Sequence, residues 1–256
     1  EIPMHLRTRS LVGLLPLFAT MTLKQDVIDQ LPEFKKRLDW FLSNRKDLLK
    51  YISFRTAEKR DMGGLTLLSI ASEERLRKTL ERMLDPDEFL SQFGIRSLSK
   101  AHEKEPFIFN HGGQINEVRY TPGESETDMF GGNSNWRGPI WFPTNYLLIE
   151  ALERYYFYYG DSFTIEYPMG SGNQCNLQEV AHDLCGRLVS LFTPDKDGAR
   201  PCFGKAERYT KKEHWNNLIL YHEYFHAETG EGLGASHQTG WTSLVTHLIH
   251  KRDQVD

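Results

Sequence analysis

The apolar positions of the chain fall into blocks with helical spacing, separated by stretches rich in Gly, Pro, Asn and His. Near the start, Leu11, Leu14, Leu15, Leu17 and Phe18 cluster at mixed helical spacing. The segment DVIDQLPEFKKRLDWFLSN then places Leu31, Phe34, Leu38 and Phe41 on one face. Two consecutive helices are expected there. A third is expected in SEERLRKTLERMLDPDEFL, where the charge run from Glu73 to Arg82 reads as a solvated helix face. Residues 93 to 138 read as loops. Helical texture returns in FPTNYLLIEALERYYFYYG, LQEVAHDLCGRLVSLF and GWTSLVTHLIHKR, each bounded by Gly, Pro or Asp. FIFN, EVRYT and FTIEY carry short strand signals that fit small hairpins within the loops. GSGN, Gly170 to Asn173, has neither a following GK[ST] nor a dinucleotide fingerprint and reads as a turn before a helix starting near Asn176. No repeat and no break in composition marks a second domain.

Charge and cysteine content narrow the function classes. With 31 Lys+Arg against 35 Asp+Glu the net charge is −4, so no strong positive field exists to draw in a nucleic-acid backbone or an anionic membrane. Neither nucleic acid nor membrane is expected as a partner, and no apolar run approaches the roughly 20 residues that cross a bilayer. Three cysteines, Cys175, Cys185 and Cys202, form no CxxC pair and read as core thiols of a reducing compartment, with the cytoplasm as the expected location. The first residues lack the pattern of a signal peptide and read as mid-protein sequence, so the parent is expected to extend upstream.

Two clusters hold the residue types that do chemistry. In FGGNSNWRGPIWFPTNY, Trp136, Trp141 and Phe142 alternate with Asn133, Asn135, Arg137 and Asn145 among glycines and a proline. Sugars present C–H faces that stack on aromatic rings and hydroxyls that pair with amides and guanidinium donors. The mixture fits a sugar site, and it fits equally a loop that packs two tryptophans under the helices with Arg137 pinned to a carbonyl. The second cluster, HEYFHAETGEGLGASHQTGWTSLV, puts Glu223 beside Tyr224 and Phe225, where a carboxylate can be partly desolvated and tuned as an acid or base. His222 to His226 also matches H-E-x-x-H letter for letter. A zinc peptidase, however, needs a helix through both histidines and a third ligand, and the segment runs at once into a Gly-rich turn.

Together, GGNSNWRGPIWFPTNYLLIEAL and YFHAETGEGLGASHQTGWTSLV resemble signatures of glycoside hydrolase family 63. LRTRSLVGLLPLFA, DEFLSQFGIRSLSK, YPMGSGN with PDKDGARPCFG, and KKEHWNNLILYHEYF extend the resemblance, in order, to the C-terminal part of long family 63-type glucosidases. The resemblance implies an all-α fold, an (α/α)6 barrel, of which residues 1–256 would form the C-terminal part of a single catalytic domain. It implies hydrolysis of α-glucosidic or related α-glycosidic bonds with inversion and without a cofactor or metal. The substrate would be an oligosaccharide or a small glycoside, and the N-terminal part of the same parent protein would be the structural partner. Glu223 matches the family's general base, ahead of Gly240-Trp241-Thr242, and the general acid, an Asp upstream of the LVGLLPL-type helix, has no match here. The implied substrate-binding residues are Asn133, Asn135, Trp136, Arg137, Trp141, His237, Gln238 and Trp241. His222 departs from the aromatic residue expected at its place. On this reading the isolated chain hydrolyses nothing and exposes apolar helix faces. The rival readings are a carbohydrate-binding barrel without chemistry and, more remotely, a zinc peptidase through His222, Glu223 and His226.

Overall fold

The opening apolar block does not form the expected helix. Gly13 loosens it, and Pro16 lacks the N–H that a helix interior requires. The segment becomes two 3-10 turns, Leu11–Gly13 and Leu15–Phe18, which with the intervening Leu14 bury Leu11, Leu14 and Leu17. The structure is a computed structural model that describes residues 6–49, 53–57, 64–127, 131–211, 214–215 and 218–253.

From the second turn the chain enters strand β1 (Thr20–Lys24), then helices α1 (Gln25–Asp29), α2 (Pro32–Asn44) and α3 (Lys46–Leu49), then strands β2 (Ser53–Ala57) and β3 (Leu65–Ser69). β3 lies between β1 and β2 and pairs antiparallel with both, a sheet that the helical spacing on either side does not anticipate. α2 begins with Pro32, as a helix start tolerates, and follows its expected stripe. Yet none of its residues is buried, and Phe34 and Trp40 stay 43% and 59% exposed, in line with the expected bare apolar faces.

Helix α4 (Glu73–Met83) starts where the Ser72 hydroxyl accepts the Arg75 N–H, and its inner face buries Leu76, Leu80 and Met83. Two hairpins follow: β4 (Leu90–Ser91) with β5 (Gly94–Ile95), and β6 (Phe107–His111) with β7 (Gln114–Val118). FIFN and EVRYT are therefore strands of one hairpin. Helix α5 (Phe142–Tyr159) leads to the hairpin β8 (Thr164–Glu166) and β9 (Gln174–Asn176), which contains the FTIEY strand. Helix α6 (Leu177–Ser190) opens on a capping box in which Asn176 and Glu179 exchange side chain-to-backbone bonds. α7 (Arg208–Lys211) is a single turn. The last elements are β10 (Tyr224–Phe225), β11 (Gly232–Leu233), α8 (Thr239–Thr242) and α9 (Val245–Asp253). GWTSLVTHLIHKR is thus two helices rather than one. The Ser243 hydroxyl turns back onto the Thr239 carbonyl at the break, a local bond that competes with helix continuation.

The core is the seam where α5 presents Leu148, Ile149, Leu152 and Tyr155 and α6 presents Val180, Leu184 and Leu188, closed from the far side by Leu248 of α9. Each such side chain, fully withdrawn from water, contributes about 1.5–3 kcal/mol. Cys185 and Cys202 are buried free thiols, pushed up to about 11 and about 12 by burial, and Cys175 is half-buried. The described elements make a helical core with small antiparallel hairpins and do not by themselves close a six-hairpin ring.

One buried guanidinium ties three loops to this core. Arg96, 3% exposed, donates through Nη1 to the carbonyls of Pro86, Glu88 and Leu90 at 3.0, 3.3 and 2.6 Å. Its Nε and Nη2 donate to Glu228 Oε1 at 3.1 and 2.9 Å, and the Tyr120 hydroxyl donates to the same oxygen at 2.7 Å. Burial pushes the Glu228 carboxyl up, but the bond from Tyr120 and the charge of Arg96 outweigh it and hold the group below its usual range. Burying a charge is tolerable when it is paired and bonded this fully. Arg96→Ala strips donors from three buried carbonyls and from Glu228, so the urea midpoint should fall by the equivalent of about 3 kcal/mol. Arg96→Lys should recover little of that loss, because one ammonium does not reproduce the planar fork. A midpoint unchanged in Arg96→Ala would refute the role.

Candidate functional site

The two clusters singled out in the sequence meet at a single backbone rung. The 3-10 turn Gly131–Trp136 delivers the chain to Ile140, whose N–H donates to the Phe225 carbonyl at 2.8 Å and whose carbonyl accepts the Phe225 N–H at 3.0 Å. On its other side Ile140 bridges Arg96. The approach leaves no room for a side chain at Gly138, where a Cβ would lie 2.3 Å from the Thr121 carbonyl oxygen. Thr121 N–H donates to the Arg137 carbonyl and Gly138 N–H to the Ser97 hydroxyl, which locks the WRGP turn in place.

Glu223 stands at the open end of the β10–β11 hairpin. Its N–H donates to the Ala235 carbonyl at 2.9 Å, and its Oε2 accepts the Ala235 N–H at 3.1 Å. The two side chains after Gly240 hold the segment from behind: Trp241 Nε1 donates to the Glu223 carbonyl at 3.0 Å, and Thr242 Oγ1 donates to the His222 carbonyl at 2.6 Å. Beside the carboxylate lies an aromatic deck. Trp136 stacks on Trp141 at 4.0 Å between centroids, Trp141 on Tyr224 at 4.7 Å, and Trp241 tilts toward Trp141 at 6.2 Å. Burial pushes the Tyr224 hydroxyl well above its usual range, helped by its bond to Glu124 and the negative charges of Glu124 and Glu223. The arrangement gives a half-buried carboxylate, fixed by backbone on two sides, next to ring surface.

The expected sugar ligands take several different places. Trp136 and Trp241 are both half-buried; Trp241 bonds the Glu223 carbonyl, and Trp136 lies at the far end of the deck, stacked on Trp141. Trp141 is 5% exposed with both ring faces covered, so it is the middle of the deck rather than an open platform. Asn135 is turned to structure: its Oδ1 accepts the Ser125 N–H and its carbonyl accepts the Trp141 Nε1–H. Asn133 lies in the same turn, with its side chain outside the described part of the structure. Arg137 is buried at 4% exposure, and its desolvation lowers its pKa. His237 is exposed, its ring edge-on to Tyr221 at 6.2 Å. Gln238 caps α8 by accepting the Gly240 N–H, and its own N–H donates to the Tyr221 carbonyl. Asn145 is likewise structural, bonded to both backbone groups of Ile95.

The H-E-x-x-H letters do not make a zinc site. Tyr224 and Phe225 form a strand, so no helix runs through the two histidines to turn both rings to one face. His226 Nδ1 instead accepts the N–H groups of Glu228 and Thr229, both at 3.2 Å. Among the described residues no group of three or more His, Cys, Asp or Glu is placed to hold a metal ion. A residue that the sequence reading passes over is Glu124, whose carboxylate accepts the Tyr224 hydroxyl at 2.8 Å and the Gly234 N–H at 3.2 Å. Its only sequence signal is an acid directly after Gly123, itself tight against the His226 ring.

The family model for the mannosylglycerate hydrolase MGH1-like glycoside hydrolase domain matches residues 53–242, a span that holds the deck, Glu124 and Glu223. The chain belongs to this glycoside hydrolase family. It is 50% identical to uncharacterized protein YMR196W of Saccharomyces cerevisiae over 96% of this chain and 23% of that protein. It is 27% identical to the mannosyl-oligosaccharide glucosidase of the same yeast, over 68% of this chain and 15% of that protein. To the probable mannosyl-oligosaccharide glucosidase of Schizosaccharomyces pombe it is 26% identical, over 73% of this chain and 17% of that protein. The chain therefore spans less than a quarter of the length of these relatives.

The hairpin predicts an acid response. Burial pushes the His222 and His226 rings below their usual 6.5, against the charge of Glu231 near both and of Glu228 near His226. The unfolded chain then takes up protons first, so folding stability is whole above about pH 6.5 and falls as pH drops through the folded values. The thermal midpoint should be lower at pH 5.5 than at pH 7.5, and His222→Phe should shrink that difference. An equal pH dependence in wild type and variant would contradict the assignment for His222.

Proposed function

We propose that this glycoside hydrolase domain supplies the general-base side of an inverting α-glycosidase, with Glu223 as the base. The observation that carries the reading is the fixation of Glu223 by Ala235 and Trp241 beside the deck that ends in Trp136. Among the described residues the Glu223 carboxylate takes its hydrogen bond at Oε2, and we assign the proton-accepting role to Oε1. In the proposed reaction Oε1 takes a proton from a water as its oxygen attacks the anomeric carbon. A carboxylic acid on the opposite face protonates the leaving oxygen, about 6.5–9.5 Å from the base. We assign that acid to an Asp in an upstream segment of the parent polypeptide, which also completes the (α/α)6 barrel. No cofactor enters the reaction. Trp136 and Trp241 provide ring surface for the C–H face of a sugar, and His237 stands at the exposed rim. The substrate class is an α-glucoside or a related α-glycoside, either an oligosaccharide, as the names of the yeast relatives state for those proteins, or a small glycoside of the kind after which the family is named.

Glu223→Gln in the full-length protein should lower kcat by roughly 10²–10⁴-fold while glucose affinity stays within about twofold. The sugar first released from an α-glucoside, followed by proton NMR, should be the β anomer. The 256-residue chain alone should hydrolyse nothing. Unchanged turnover in Glu223→Gln would remove the base assignment and leave a carbohydrate-binding role.

A further inference from the structure

The turn that holds Glu223 is held in its turn by a second carboxylate that no part of the reaction above uses. Glu124 lies a hundred residues before Tyr224 in sequence, and its Oε2 accepts the Tyr224 hydroxyl at 2.8 Å while its Oε1 accepts the Gly234 N–H at 3.2 Å. The next N–H along, that of Ala235, goes to Glu223 Oε2 at 3.1 Å. Two acids thus take successive amides of one turn. That turn has no slack: Gly234 adopts φ +67°, and a Cβ there would lie 2.6 Å from the Tyr224 ring and 2.9 Å from Glu223 Oε2. Tyr224, 2% exposed, is fixed on its face by Trp141 and at its hydroxyl by Glu124.

From this geometry we propose that Glu124 is the positioning residue of Glu223, an inference that rests on Glu223 being the base. One carboxylate spans the ring beside Glu223 and the amide before the one Glu223 uses. It sets the distance from Tyr224 to the 234–235 turn and so the direction in which Glu223 Oε1 faces. A neutral side chain with a single acceptor oxygen holds one of the two donors, and a methyl group holds neither. Keeping two like charges this close is unfavourable. The charge-assisted bonds from Tyr224 and Gly234 offset that cost only while both are made.

Two measurements on the full-length protein test the proposal. By hydrogen-exchange mass spectrometry, Glu124→Ala should speed deuterium uptake in the peptide covering Leu233–Ser236 at least about tenfold, with peptides of α5 and α6 unchanged. With p-nitrophenyl α-glucoside, Glu124→Ala should lower kcat about 10–100-fold with KM within about twofold, and Glu124→Gln should recover part of it. If Glu124→Ala does not fold, Tyr224→Phe removes only the hydroxyl and should give the same pattern at about three- to tenfold. Wild-type exchange at 233–236 in Glu124→Ala, or in Tyr224→Phe where the first variant fails to fold, overturns the proposal whatever the activity. Wild-type kcat with loosened exchange also overturns it, because the turn would then not control the base. Should Glu223→Gln keep its turnover, the base reading fails on its own account, while the exchange result still reports whether Glu124 holds the turn.

Discussion

Everything at the site depends on the rung at Ile140. Among the described residues, its two backbone bonds to Phe225 are the strand-like contact that brings the tryptophan loop to the hairpin bearing Glu223, and its opposite edge meets Arg96. Ile140 and Phe225 are both fully buried, so neither pair of amides has water to fall back on. The register is consequently rigid. Once Ile140 sits opposite Phe225, Trp141 falls beside Tyr224, and Glu223 falls one residue further out, at the edge of the deck. The Arg96 guanidinium reinforces the same alignment from the far side through Glu228, three residues beyond Phe225. A slip of one residue at this rung would move Glu223 to the other side of the strand.

Around that rung most of the conspicuous polar residues serve the scaffold. Asn135, Asn145, Gln238, Trp241 and Thr242 all spend hydrogen-bonding groups on backbone. This is expected where irregular chain is buried, since every amide and carbonyl that a helix or sheet would satisfy needs a side-chain partner instead. The consequence for the site is precision. Glu223 is held by a hairpin amide, by Trp241 through its carbonyl and by the turn that Glu124 ties down, so its orientation is decided before any ligand arrives.

Legibility in the sequence followed how local each interaction is. Helices α4, α5 and α6 and the hairpins β6–β7 and β8–β9 could be read from spacing and punctuation, because capping by Ser72 and Asn176 and the apolar stripe act within a few residues. The pairing of β1 with β3 could not, since nothing near Thr20 reports Leu65 to Ser69 as its partner. Leu11 to Phe18 carried helical spacing without a helix, as Pro16 outweighed it. At the site, the two clusters and the candidacy of Glu223 were legible. Which aromatic ring would be sandwiched, and that Gln238 would cap rather than face a ligand, were not. The Gln238 cap is a bond to an amide two residues along, whereas the ring sandwich is decided by chain segments about ninety residues apart. Glu124 was invisible for the same reason.

The glycines show how tightly the chain is packed around the H-E-x-x-H letters. Gly138, Gly123 and Gly232 each sit where another group approaches within about 3 Å of a would-be Cβ: the Thr121 carbonyl, the His226 ring and the His222 ring. Each marks a place where two segments are pressed together. The two histidines are packed against glycines of neighbouring chain, His226 against Gly123 and His222 against Gly232, which is how a strand flanked by turns uses large rings. A zinc helix would instead turn both rings to one side with space between them for an ion. The Gly-rich surroundings of the motif therefore argue for close backbone packing around the strand Tyr224–Phe225 and the Glu223 that precedes it.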